Sequence, residues 1–466
     1  MFSRCLARRV VMDRLGRCRR PAMVGASPPP FHHQWVLGLA AALLATGQIF
    51  PTPGFTGERR FERQGEAVEA RILRVKPAVV GIFTEVRAEV TIRCEKRDRH
   101  VVTLDPERQS GTGFIIHPDG WIATNGHVVE PVYQDDKEYL TSFLQAAADK
   151  ACGPALAKLP EQERNRRMRE ILQDPENQKG VKLARKLLVD LPHKLVGERS
   201  VASYPAVVKA YSPSIDPELL PKDGSKPDHP MLDAAIIKIE ATDLPTVHLA
   251  PSIEHVHLGQ ELFIIGYPGV VLWHDYLSKN SRTEATVTFG RVSSFKDDIN
   301  GRRILQTDAA ISWGNSGGPA FSWGDEVIGV ATFISTAEDQ AIQGFNFLIP
   351  VETIHALARQ IGVTPQSDGA FMQEWQAAVN AYFRGRFGTA LSHVEAADKI
   401  LADLSDVQQL RALLQNLIRE HPSWDTDRRA FAGSTLVVAV AVCALILSTA
   451  FGVRAVRRRK RLPKPT

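Results

Sequence analysis

Between Val75 and Pro350 the chain repeats one pattern: short apolar runs rich in Val, Ile and Phe, each closed by Gly, Pro, Asn or Asp. Two such runs flank Pro118-Asp119-Gly120, a turn sequence that predicts a β-hairpin. Others lie at 75–82, 204–210, 234–239, 261–265, 286–293, 303–307, 327–333 and 344–349. So many short strands with no helix between them predict a mainly β fold, an antiparallel sandwich or barrel. They argue against a doubly wound sheet, which needs a helix after each strand.

Two stretches interrupt the pattern. Residues 135–198 are rich in Ala, Leu, Lys, Arg and Glu, and the spacing of Met168, Ile171 and Leu172, then of Leu183, Leu187 and Leu191, predicts a helical insertion. Beyond Pro350 helical spacing persists through Met372, Trp375, Val379 and Tyr382, then Phe387, Ala390, Leu391 and Val394, then Val407, Leu410, Leu414 and Leu417. The stretch 375–397 weakly resembles one tetratricopeptide hairpin. A single degenerate copy favours a plain helical spacer over 366–423.

The 466 residues are 44% hydrophobic, which excludes a disordered, collagen-like or disulfide-framework protein. The formal charge of +5 is misleading, because residues 1–34 contribute +6 and residues 454–466 contribute +7, leaving −8 for everything between. A basic nucleic-acid face is therefore not expected. Both basic tails border apolar runs. Residues 430–453 carry no charge and are followed by the Arg/Lys cluster of 454–466, so a transmembrane helix with a basic cytoplasmic tail is expected there. The weaker run at 35–50 follows the basic n-region 1–34 and reads equally as a signal peptide or as an N-terminal anchor. The positive-inside rule then places 51–429 on the periplasmic or other exoplasmic side of the cell membrane. Of five Cys, only Cys94 and Cys152 fall in that part. A disulfide and two free thiols are both open, and no C-x-x-C spacing exists to imply a metal.

The strongest chemical signal is Gly314-Asn315-Ser316-Gly317-Gly318-Pro319. A serine hydroxyl is a poor nucleophile, so it needs a base to remove its proton and N–H donors to hold the oxyanion that forms. Glycines around Ser316 let the amides of Gly314 and Ser316 point at one spot. The string also satisfies G-x-S-x-G, the nucleophile elbow, but an elbow feeds a helix and is followed by its acid and then its His. Here an apolar strand-like run follows, and the partners lie upstream: His127 in Thr124-Asn-Gly-His-Val-Val, and Asp233 at the head of Asp-Ala-Ala-Ile-Ile-Lys-Ile239. An imidazole has the intrinsic pKa to shuttle the serine proton, and a carboxylate behind it fixes the tautomer.

Through these motifs, with Gly266-Tyr-Pro, Thr288-Phe-Gly-Arg-Val-Ser, Gln306-Thr-Asp-Ala-Ala-Ile311 and Gly344-Phe-Asn-Phe-Leu-Ile-Pro350, the chain resembles the HtrA/Deg branch of the trypsin-like serine proteases. The resemblance implies a protease domain over 58–360 made of two six-stranded antiparallel β-barrels, with the helical insertion at 135–198. A small helical segment and the transmembrane helix are expected after it. It implies Ser316 as nucleophile, His127 as base then acid, Asp233 as orienter, and the amides of Gly314, Asn315 and Ser316 as oxyanion hole. It also implies a substrate pocket at Ala310, Ala331 and Phe333, which holds no carboxylate for a basic P1 side chain, so apolar P1 residues are expected. Asp308 is read as structural. The chain departs from the family in four ways. His127 and Asp233 stand 106 positions apart, an extension from Pro213 to Pro230 lies just before Asp233, Ser312-Trp313 replaces a frequent Asn-Pro, and no PDZ domain is recognisable after the protease.

The function expected is a membrane-anchored serine endopeptidase acting on damaged or unfolded envelope proteins, with peptide or protein substrates and no cofactor. The alternative is a catalytically silent protease fold used as a scaffold. A homo-oligomer is compatible with either.

Overall fold

The computed structural model describes residues 68–420, apart from 96–97, 134–135, 193–202, 215–230, 273–274, 279–283, 299–300 and 338–339. A short helix α1 (68–75) and a 3-10 turn at Lys76–Ala78 lead into β1 (Val79–Ile92). The strands β2 (His100–Thr103), β3 (Glu107–His117), β4 (Trp121–Thr124), β5 (Val181–Asp190), β6 (Ser203–Ser212) and β7 (Ala234–Ile239) complete the first sheet. Its order is β2-β1-β3-β4-β7-β6-β5, and β1 also pairs with β5. That extra pairing closes six strands into a barrel and leaves β2 as an appendage on the far end of β1, where Glu89 faces Thr103.

The second sheet runs β12-β9-β10-β11-β14-β13-β8, with β12 also pairing β13. Its strands are β8 (His248–Leu249), β9 (Glu261–Gly266), β10 (Thr286–Asp297), β11 (Arg303–Thr307), β12 (Pro319–Ser322), β13 (Glu326–Ala337) and β14 (Gln340–Pro350). Again six antiparallel strands close, and the two-residue β8 adds in parallel beside β13. Full closure satisfies the backbone donors and acceptors that an open sheet would leave at its edges. Period-two burial explains why these segments are strands: in β1 alternate residues from Val86 to Ile92 are buried.

Two differences from the sequence reading have physical causes. The insertion is helical only in its first part, chiefly α3 (Asp136–Ala151) and α4 (Glu161–Gln173), and then becomes β5. Leu183 and Leu187 lie four residues apart, which places them on one face of a helix and equally on one face of a strand. Ten register pairs with β1 resolve the ambiguity in favour of the strand. The helices α3 and α4 bury Phe143, Leu144, Ala147, Ala148 and Ile171 against Val86, Val90 and Ile92 of β1, forming a cluster of their own. The Cys94–Cys152 pair, left open by the sequence, is a disulfide that crosses this cluster with its Cα atoms 5.4 Å apart.

After α5 (Val351–Gln360) come α6 (Ala370–Phe383), α7 (Phe387–Ile400) and α8 (Ser405–Glu420). These helices are not a detached spacer. Phe371, Trp375, Val379, Val394 and Leu410 share one buried cluster with Ile82, Ile122 and Ile237 of the first barrel, and Trp375 Nε1 donates to Leu73 O at 2.7 Å.

The expected fold class also ended in a transmembrane helix, and that part is corrected. Among the described residues no helix is long and apolar enough to cross a membrane. The longest, α3 and α8, have 16 residues each and carry charged side chains. At 1.5 Å per residue they fall short of a hydrocarbon core of about 30 Å. The runs at 35–50 and 430–453, and both basic tails, lie outside the described residues.

Candidate active site

His127 is held in the first turn of α2 (Gly126–Tyr133), immediately after the hairpin strand β4. Asp233 sits at the head of β7 with φ of 47°, a left-handed conformation that is uncommon outside glycine and that Asp tolerates better than most residues once hydrogen bonds hold it. Two hydrogen bonds do so: its N–H donates to Pro213 O at 2.8 Å, and its carbonyl accepts from Asn125 Nδ2 at 3.0 Å. The carboxylate is thereby turned onto His127. It accepts from the His127 backbone N–H at 2.9 Å and lies 3.0 Å from Nδ1 through each of its oxygens. It also accepts from Thr332 Oγ1. A carboxylate facing Nδ1 makes that nitrogen the protonated one and leaves the Nε2 lone pair free to take a proton. Burial by itself would lower the His127 pKa, but the hydrogen bond to Asp233 and its negative charge, with Glu130 further off, outweigh it and raise the pKa above the ordinary imidazole value.

Ser316 is half-buried in the loop between β11 and β12, and its Oγ donates to Thr332 O at 3.1 Å. Thr332 therefore touches both the nucleophile candidate, through its carbonyl, and Asp233, through its hydroxyl. It lies where the β13–β14 register shifts between Ala331 and Ile334, an irregularity of the kind that re-aims side chains. Nothing in the local sequence Val-Ala-Thr-Phe marks Thr332 out as a site residue.

The loop's own backbone is almost fully committed. Asn315 N–H donates to Ser312 O, Gly317 N–H to Ala331 O and Gly318 N–H to Asn315 O. Among the described residues, the amides of Gly314 and Ser316 have no recorded acceptor. Of the three amides expected to form the oxyanion hole, that of Asn315 is thus spent inside the loop. Gly314 has φ of +97° and Gly317 φ of +87°. A Cβ on Gly317 would fall 2.0 Å from Thr112 O, so the loop needs glycine there for both conformation and space.

The residues expected to line a substrate pocket differ in exposure. Ala310 is exposed, whereas Ala331 is completely buried in the second barrel's core. Phe333 lies within β13, and its side chain is outside the described set. Asp308 Oδ1 accepts from Arg291 N–H at 2.5 Å, so this acid is engaged with the backbone of β10. A cavity of about 410 Å³ is lined by Arg74, Thr246, Asp325, Gln373 and Asn380 and contains none of the candidate catalytic residues. An enzyme that grips extended chains works from an open cleft, so the hydrogen-bonded constellation locates the candidate site better than cavity size does. Among the described residues no group of His, Cys, Asp or Glu could hold a metal ion.

The first closed six-stranded barrel carries the His127–Asp233 pair, the second carries the glycine-flanked Ser316 in a loop, and Thr332 of the second barrel touches both Asp233 and Ser316. Residues 111–330 match the family described as "Trypsin-like peptidase domain", and the similarity extends to proteases of HtrA/Deg type. The "Probable periplasmic serine endoprotease DegP-like" of Marinomonas sp. (strain MWYL1) is 33% identical over 181 residues, 37% of this chain and 35% of that protein. The "Serine endoprotease DegS" of Haemophilus influenzae is 28% identical over 132 residues, 28% of this chain and 36% of that protein. A solved structure, "HtrA-type protease AlgW with decapeptide", aligns over 63% of this chain and 66% of its own at 19% identity and a TM-score of 0.36. The chain thus spans about a third of the length of these curated relatives.

Proposed function

We propose that this protein is a serine endopeptidase of the HtrA/Deg type that cleaves unfolded or damaged proteins of the bacterial envelope. The observation that carries the reading is the Asp233 carboxylate 3.0 Å from His127 Nδ1, linked through Thr332 to Ser316, whose amide and that of Gly314 have no acceptor among the described residues. In the proposed reaction the Ser316 hydroxyl exchanges its bond to Thr332 O for one to His127 Nε2. Ser316 Oγ then attacks the scissile carbonyl as Nε2 takes its proton, and the amides of Gly314 and Ser316 hold the oxyanion. Collapse expels the amine with the proton from Nε2 and leaves an acyl-enzyme. Water, activated by the same imidazole, hydrolyses it.

A preference for apolar P1 residues is supported by Ala310, which carries no carboxylate for a buried cation, and by the bond that ties Asp308 Oδ1 to Arg291 N–H of β10. A periplasmic setting is supported by the Cys94–Cys152 disulfide, which persists only in an oxidising compartment, and by the name of the DegP-like relative.

The test is direct. The purified protein should be labelled by a fluorophosphonate at Ser316 and should hydrolyse an unfolded protein, cutting after Val, Ala or Leu. Ser316→Ala should abolish both activities while leaving the thermal midpoint within a few degrees of wild type. Cleavage that persists in Ser316→Ala would remove Ser316 from the mechanism, and a wild-type protein that resists labelling would favour the scaffold reading.

A further inference from the structure

Thr112 lies in β3 of the first barrel and is completely buried. It contacts the second barrel's serine loop through both its backbone and its side chain. Its N–H donates to Ser316 O at 2.8 Å. Its Oγ1 donates to Gly314 O at 2.7 Å and accepts from Tyr267 N–H at 2.9 Å. A hydroxyl has one proton to give, so donating to a carbonyl and accepting from an amide fixes its orientation. Its own carbonyl accepts from Thr124 Oγ1 at 2.7 Å, which braces Thr112 against the strand that leads to His127.

We propose that the Thr112 hydroxyl is the positioning group that aims the Gly314 amide at the oxyanion, an inference that rests on the endopeptidase reading. Each peptide is a rigid plane, so an N–H points wherever the C=O across its bond is tethered, in the opposite sense. Gly314 N–H shares its plane with Trp313 O, which accepts from Gly269 N–H at 2.7 Å. Gly269 lies two residues beyond Tyr267, whose amide is held by Thr112 Oγ1. The plane on the other side of Gly314 is tethered through Gly314 O to the same hydroxyl. Thr112 Oγ1 thus holds directly the plane that follows Gly314 and, at Tyr267, the segment whose Gly269 N–H holds the plane before it, on either side of a glycine that has φ of +97° and no side chain to resist a peptide flip. Ser316 needs less help, because its carbonyl is held by the Thr112 backbone amide and the carbonyl of Asn315 by Gly318 N–H.

The test compares wild type with Thr112→Val, which keeps the shape and removes the hydroxyl, and Thr112→Ser, which keeps the hydroxyl. The readouts are kcat and KM on an internally quenched peptide, the rate of phosphonylation by a fluorophosphonate, and active-site titration to count folded enzyme. Thr112→Val should lower kcat per folded molecule about 100-fold, the scale of one misdirected oxyanion donor. Its KM should stay within about threefold, and phosphonylation should slow in parallel. The acid limb of the pH profile, which reports His127, should not move, and Thr112→Ser should recover activity to within about threefold of wild type. If Thr112→Val does not fold, Thr112→Ala takes its place with the same expectations. An unchanged kcat per folded molecule in the hydroxyl-free variant overturns the inference, and so does a Thr112→Ser as impaired as Thr112→Val. A wild-type protein that is neither active nor labelled overturns the endopeptidase reading and this inference with it.

Discussion

His127 ties folding and catalysis to pH in opposite directions. Its pKa is raised because the Asp233 hydrogen bond and charge overcome the effect of burial. A raised pKa means that the charged pair stabilises the fold fully below the ordinary imidazole value of about 6.5 and loses that contribution as pH rises through the raised value. Catalysis needs the neutral ring, so activity should grow over the same interval in which this stabilisation fades. In a profile of kcat/KM against pH the acid limb should fall above about 6.5. Asp233→Asn should cut activity by roughly 10⁴-fold, since an amide can favour the wrong tautomer, and should move any residual limb toward acid. A wild-type limb at or below the ordinary imidazole value would contradict the assigned pairing.

At the scale of elements, the insertion is a module with its own core. Its buried residues, Phe143, Leu144 and Ile171 among them, form a cluster distinct from those of the two barrels. The Cys94–Cys152 bond closes a separation of 58 residues around it. Chain-entropy arguments give a crosslink of that length about 4 kcal/mol. Cys94→Ser with Cys152→Ser should therefore loosen α3 and α4 selectively, seen as faster amide exchange over 136–178. Cleavage of a short peptide should stay within about twofold of wild type, because the candidate site draws nothing from this cluster. Equal loss of protection in β9 to β14 would show that the insertion and the barrels unfold as one unit.

One partly buried ionic cluster joins three distant parts of the chain. Lys76 Nζ lies 2.7 Å from Asp406 Oδ1 of α8 and 2.9 Å from Glu284 Oε2, just before β10. Burial pushes the Asp406 pKa up, and Lys76 opposes the shift. Removing the lysine strands a buried carboxylate, so Lys76→Met should cost about 3–5 kcal/mol. Lys76→Met combined with Asp406→Leu should recover most of that loss, because replacing both members of a buried pair removes the unpaired charge. Denaturant midpoints of the three proteins decide it. A single variant no less stable than wild type would mean that the cluster does not hold α8 in place.

How much of this was legible in the chain follows from which interactions are local. The alternation of apolar residues and the Pro118-Asp119-Gly120 turn specify strands through neighbours in sequence, and so the β architecture could be read directly. The glycines of 314–318 announce a strained loop because only glycine accepts its conformations, and a base and a carboxylate in His127 and Asp233 announce shared chemistry through their residue types. Non-local choices were hidden. Leu183 and Leu187 satisfy helix and strand periods alike, and only pairing with β1 selected the strand. The docking of α6 to α8 on the first barrel, the bonding of Cys94 to Cys152, and the placement of Thr112 and Thr332 against the serine loop depend on residues far apart in the chain. Most of the strands, the turns and the reactive residue types were written in the chain itself, because propensity and periodicity act within a few residues. Tertiary structure alone decided which of these meet, because a hydrogen bond or a buried contact depends on distance in space and not on distance along the chain.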